Sequence, residues 1–174
     1  MFENLKKSGR KHSLFIPGKT SEKVEYGKNQ IEQILPHRDP FLMVDRIDRI
    51  DLQEKCVRGY RDINRNDPVF KGHFPGEPVY PGVLLLECIG QLSACISYFI
   101  KKNRTFLIKE DKPRKLRLIK IREASFLGTV HPDNQLTLVS KLLEDSDFTS
   151  LSACQALCDD EVKVLAFFEV YWVD

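Results

Sequence analysis

The 174-residue chain lacks an excess of either charge: 27 Lys and Arg stand against 25 Asp and Glu, a formal net charge of +2 with histidine neutral. Near-neutrality gives no whole-molecule case for nucleic acid or an anionic membrane surface, so any basic site has to be local. Cysteine is sparse, and Cys56, Cys88, Cys95, Cys154 and Cys158 form no C-x-x-C pair. That argues against a dithiol centre and reads as reduced, small apolar side chains in a cytoplasmic protein. No His/Cys/Asp cluster has zinc spacing, and no strand leads through a Gly-rich loop into a helix, so neither metal nor cofactor is expected. Repeats, low-complexity segments and an internal domain boundary are also missing, and the length suffices for one domain with a core of its own. Residues 1–27 are polar and basic, with Lys6, Lys7, Arg10, Lys11, Lys19 and Lys23 but no continuous apolar segment. This stretch is not read as a secretory leader. It is expected as a partly ordered extension on the surface of a single domain spanning 28–174.

What the chain does have is concentrated between Gly72 and Gln91, GHFPGEPVYPGVLLLECIGQ. His73 sits in a loop with Gly72, Gly76, Gly82, Pro75, Pro78 and Pro81, residues that fix the backbone in conformations others avoid. Such a loop suits a base that must be held in one orientation. An apolar helix is expected from near Val83 to Ile100, with Pro81 where a missing N–H costs nothing. It is apolar nearly all round, which demands burial in a large core or a membrane. Glu87, Gln91 and the small residues Gly90, Ser93, Ala94 and Ser97 favour the core, so no membrane insertion is expected. Glu87 and Gln91, four apart, share one helix face.

Upstream, Asn29 is expected to cap a short helix that Pro36 ends. The turn Pro36-His37-Arg38-Asp39-Pro40 then feeds a strand-like run from Phe41 to Ile47. His37, beside Arg38 and Asp39, reads as a hydrogen-bonded turn residue rather than a catalyst. A second strand is expected over Lys55–Ile63, though Gly59 weakens it. After the helix, Arg114–Leu127 changes alternation phase near Leu118, which predicts a bulge. Runs at Leu136–Leu143, Phe148–Leu157 and Val162–Val173, separated by acidic turns, complete a meander. One buried helix followed by antiparallel strands gives an α+β architecture with a sheet wrapped around the helix.

The run from Leu35-Pro36-His37-Arg38 to Val44-Asp45-Arg46, with Gly72 to Gly76, Pro81-Gly82-Val83 and Glu87 to Gln91, resembles the β-hydroxyacyl-acyl carrier protein dehydratases of fatty-acid synthesis. The resemblance covers Ile31 to the C-terminus. It implies a hot-dog fold and a homodimer, or an assembly of dimers, in which the His comes from one subunit and the acid from the other. It also implies a substrate, acyl carrier protein bearing a 3-hydroxyacyl chain. Thioesterases share the fold, so the function has to rest on the site.

Eliminating water from a 3-hydroxyacyl thioester needs a base for the C2 proton, a stabiliser for charge on the thioester oxygen and an acid for the hydroxyl. His73 is the natural base, with the Val79 carbonyl orienting its ring by family analogy. Gly82, at the helix N-terminus, can point its N–H at the thioester oxygen. Glu87 would act on the hydroxyl; an apolar pocket favours a protonated carboxyl, and the nearby helix N-terminus opposes it. Gln91 would hold Glu87 or the outgoing water. Tyr80, where the family often has Met, is expected to reshape the pocket beside Gly82. A basic stretch from Lys112 to Arg122 is the richest candidate to receive an acidic carrier protein. An acyl-thioesterase, or a non-catalytic partner of another hot-dog subunit, are the alternatives.

Overall fold

A computed structural model describes residues 2–173. In chain order it forms helix α1 (Phe2–Gly9), strand β1 (Glu22–Gly27), a single turn α2 (Lys28–Ile31), β2 (Arg46–Asp51), β3 (Cys56–Asp62), a 3-10 turn at Pro68–Lys71, helix α3 (Gly82–Lys102), and strands β4 (Lys115–Phe126), β5 (Gln135–Asp145), β6 (Thr149–Cys158) and β7 (Glu161–Val173). The strands make one antiparallel sheet in the order β1-β2-β3-β5-β6-β7-β4. The sheet curls around α3, which packs across β3, β5, β6 and β7. This is the hot-dog arrangement.

Helix α3 is long and apolar enough to cross a membrane, yet it is the core of the sheet. Cys88, Ile89, Leu92, Cys95, Ile96 and Phe99 are all fully buried, and small side chains at Ser93, Ala94 and Ser97 let the strands approach the helix closely. Asn103 in the left-handed region ends the helix, and its N–H reaches back to the Ile100 carbonyl.

Several expectations change. The sheet starts before residue 28: β1 pairs with β2, and Tyr26 inserts against Phe99, ring centroids 6.0 Å apart, while its hydroxyl donates to the Thr105 carbonyl. The rest of the extension is also built. Helix α1 and the segment after it cover the outer face of the sheet, where Phe2 meets Phe167 and the buried Gln155 side chain bonds the Gly9 and His12 carbonyls and the Leu14 N–H. Lys6 and Arg10 both bind Glu123 of β4. Two of those basic residues are therefore internal ion-pair partners, which composition could not show. Short helix α2 opens at Gly27, whose N–H is taken by the Gln30 side chain, and not at Asn29.

The expected strand at Phe41 begins only at Arg46, because the backbone groups of Phe41 and Met43 are bonded by the Gln91 side chain instead of a neighbouring strand. The meander is broken as well: β4 crosses to the far edge beside β7, and β5 pairs with β3. The predicted bulge lies between Leu118 and Lys120, with a second shift between Ile121 and Glu123. The bulge leaves Ile119 exposed on an edge strand that also shows Leu118 and Ile121 to solvent.

Candidate active site

A cavity of about 390 Å³ lies between α3 and the edge formed by β4 and β7. Its walls are apolar: Leu86 and Ala94 from the helix, Leu116, Leu118 and Ile121 from β4, and Phe168 and Val170 from β7. Alternation explains the strand contribution, since Leu116, Leu118 and Ile121 stand opposite Trp172, Val170 and Phe168 in register and face the helix side. Gly90 leaves room over the Phe168 ring, where an added Cβ would stand in ordinary contact at 3.5 Å.

One end of this cavity is polar. Glu87 and Gln91, on one face of α3, line it together, and the Gln91 Nε2 donates to Glu87 Oε1 at 2.8 Å. Gln91 is 2 % exposed and both its donors are engaged: Nε2 also donates to the Phe41 carbonyl at 2.7 Å, while Oε1 accepts from the Met43 N–H at 2.8 Å. Its amide thus has no N–H left to donate, and its bonds hold Glu87 and pin the segment before β2 onto the helix. That pinning brings in a residue the sequence reading set aside. The turn at Pro36–Pro40 folds over the helix, and His37 lines the cavity with Nε2 3.7 Å from Glu87 Oε1. Arg38 holds the turn in place, donating to the carbonyls of Leu35, His37 and Glu32. The only sequence signal for His37 was its place in the family-like run; its chemistry depends on a contact fifty residues away.

His73 is oriented as expected. Its Nδ1 lies 2.7 Å from the Val79 carbonyl, which fixes the proton there and leaves Nε2 free to accept. The loop is closed by its own backbone: Val79 N–H to His73 carbonyl, and a reciprocal pair between Phe74 and Glu77. Gly76, at φ +82°, makes the turn. The loop is also tied to the β4–β5 connection by Tyr80 N–H to the Val130 carbonyl and by the His131 ring at the Pro78 carbonyl. The loop is therefore fixed in shape, with Phe74 stacked on the His73 ring and half open to solvent.

Gly82 opens α3, where the first N–H groups have no acceptor within the helix. A Cβ here would stand 2.7 Å from the edge of the Phe126 ring, so any larger residue would have to push that exposed β4 side chain aside. Phe126 is a residue that sequence reasoning missed, and no local pattern marks it.

The structure therefore brings Glu87, Gln91 and His37 to one cavity and joins His73 to Val79. His73, Val79, Tyr80 and Gly82 are not among the residues lining that cavity. Tyr80 corrects the expectation most: it is 2 % exposed, packed at 6.0 Å from Phe70, with Cys88 and Arg61 nearby. It is a core ring, and the Val130 bond ties its backbone to the β4–β5 connection.

The chain is similar to known proteins in sequence and in fold. A 3-hydroxyacyl-[acyl-carrier-protein] dehydratase FabZ of Aliarcobacter butzleri is 34 % identical over 145 residues, covering 83 % of this chain and 96 % of that protein. The protein of the same description from Sorangium cellulosum is 38 % identical over 133 residues, covering 74 % and 78 %. Among solved structures, the dehydratase heterocomplex ApeI:P from Xenorhabdus doucetiae superposes with a TM-score of 0.64 at 15 % identity, over 83 % of this chain and 91 % of that one. A hypothetical thioesterase from Streptococcus pneumoniae matches at 0.52 and 11 % identity, covering 69 % and 80 %, which shows the shared fold. The FabA-like domain model matches residues 35–166, from the start of the Pro36 turn into β7, and the chain belongs to the FabA-like domain family.

Proposed function

We propose that this protein dehydrates 3-hydroxyacyl groups carried on acyl carrier protein to the trans-2-enoyl form in fatty-acid biosynthesis, the activity in the names of its relatives. The observation that carries the reading is a carboxyl held by an amide at the polar end of an apolar cavity, in a chain that also presents a carbonyl-oriented imidazole. His73 Nε2 takes the C2 proton. The Gly82 N–H stabilises the charge that develops on the thioester oxygen, aided by the helix N-terminus. Glu87 gives its proton to the 3-hydroxyl; the C3–O bond breaks, the C2=C3 double bond forms and water leaves. One proton then remains on His73 and Glu87 is ionised, and exchange with solvent resets both.

The two groups act in one site if a second copy supplies the missing half. The edge strand β4 supports this, because it leaves its outer backbone unpaired and exposes Leu118, Ile119 and Ile121 beside the cavity. An edge of that kind is a template for pairing with another chain. In a homodimer joined there, the cavity with Glu87 in one subunit would receive His73 of the other.

The test is formation of enoyl product from 3-hydroxyacyl carrier-protein substrates of several lengths, followed by ultraviolet absorbance and mass spectrometry. Enoyl thioester of intact mass less one water is the expected result. Free acid released with no enoyl product would replace the dehydratase with a thioesterase.

A further inference from the structure

The polar end of the cavity holds a third polar group that the reaction as described does not use. His37 Nε2 approaches the same oxygen, Glu87 Oε1, that accepts from Gln91. The other ring nitrogen, Nδ1, is buried without a hydrogen-bond partner. A turn histidine kept only for structure would bond its ring to the turn; this ring instead leaves one nitrogen unsatisfied and presents the other to a carboxyl. Burial pulls His37 below the usual histidine range, Glu87 opposes that shift, and Arg38 adds to it. At neutral pH the ring is therefore uncharged and carries one proton. From α3 it faces Glu87 and the neutral Gln91, and Arg38 of its own turn is the other charge that acts on it. The β4 and β7 walls are apolar, so among the described residues no titratable group faces it from those strands.

We propose that His37 is a positioning residue for Glu87: its Nε2–H and the Gln91 amide together hold Oε1, leaving Oε2 to carry the proton and face the 3-hydroxyl. The inference rests on the reading of Glu87 as the acid. At 3.7 Å the contact is longer than a hydrogen bond, and unliganded catalytic sites commonly tighten such contacts when substrate closes the cavity. Two donors on one oxygen favour the ionised carboxyl, which is the form left after the hydroxyl has taken its proton. Removing one donor disfavours that form, so the carboxyl keeps its proton to higher pH.

The test has three readouts on the full chain. In wild-type protein, ring 15N NMR of His37, assigned with H37Q, should show the proton on Nε2; a proton on Nδ1 overturns the proposal without any variant having to fold. In the H37F variant, the Glu87 carboxyl, followed by 13C NMR and assigned as the signal missing from E87Q, should titrate about one pH unit higher than in wild type. That is the size expected for losing a hydrogen bond to a carboxylate. H37Q keeps an N–H donor and should titrate close to wild type. The alkaline limb of the kcat profile, where the acid loses its proton, should move upward with H37F in the same way. Equal titration in wild type, H37F and H37Q overturns the proposal, even if kcat falls. Enoyl formation with no shift would sink this pairing alone, whereas a shift in a protein that makes no enoyl product would sink the dehydratase reading alone.

Discussion

The two halves of the proposed site are built in opposite ways. The Glu87 half stands on a buried helix, faces an apolar cavity, and is held by side chains: Gln91 and, on our proposal, His37. The His73 half stands on a loop, lines none of that cavity, and is held by backbone: the Val79 carbonyl and the hydrogen bonds that close the loop. On the proposed reading each half supplies one proton transfer, and neither alone an elimination. The contrast teaches that a sequence motif continuous from Gly72 to Gln91 need not be a continuous site. On the proposed reading those twenty residues carry two half-sites that a partner copy would complete.

The strongest way to break this comparison is to damage the halves separately. H73A and E87A should each lose on the order of a hundred- to ten-thousand-fold in turnover. Heterodimers of the two variants, verified with differently tagged chains, should return toward half of wild-type activity per dimer, because one site receives both substitutions and the other neither. Verified heterodimers that stay inactive would place both groups within one chain and end the two-half description.

A smaller effect should sharpen the difference in how the halves are held. Q91L leaves the part-buried Phe41 carbonyl and the buried Met43 N–H without their partner, and should cost on the order of 3 kcal/mol in urea unfolding as well as lowering kcat. Enough of the loop half is independent of Gln91 that His73 should keep its ring orientation, visible as an unchanged 15N tautomer. Loss of that orientation would mean the halves are coupled inside one chain.

The smallest effect concerns the outer face beside both halves. Of the basic residues on and before β4, Arg122 binds Glu169 and Arg114 stacks over Trp172, so both are committed internally. Lys115, Arg117 and Lys120 remain on the exposed edge strand and are the candidates for an acidic carrier protein. Raising salt from low to moderate ionic strength should then lower turnover several-fold on carrier-protein substrates and leave short thioester mimics nearly unchanged. Equal sensitivity would remove the patch from substrate docking.

Much was decided by the sequence alone. A 21-residue apolar helix with small residues at its core face has to be wrapped by something, and period-two strands downstream supply the sheet. The phase slip near Leu118 announces the bulge, and the Gly/Pro loop announces a held imidazole, because these are local properties of the backbone. Tertiary structure decided the rest, since it depends on contacts between residues far apart. The Gln91 amide draws the Phe41–Met43 segment onto α3 and so carries His37 to Glu87. The Val130 bond ties the Tyr80 backbone to the β4–β5 connection, Phe126 packs close over Gly82, and Gln155 fastens the N-terminal segment across the sheet. None of these has a periodicity or a spacing, because a side chain's partner across fifty or more residues is chosen only when the sheet has closed around the helix.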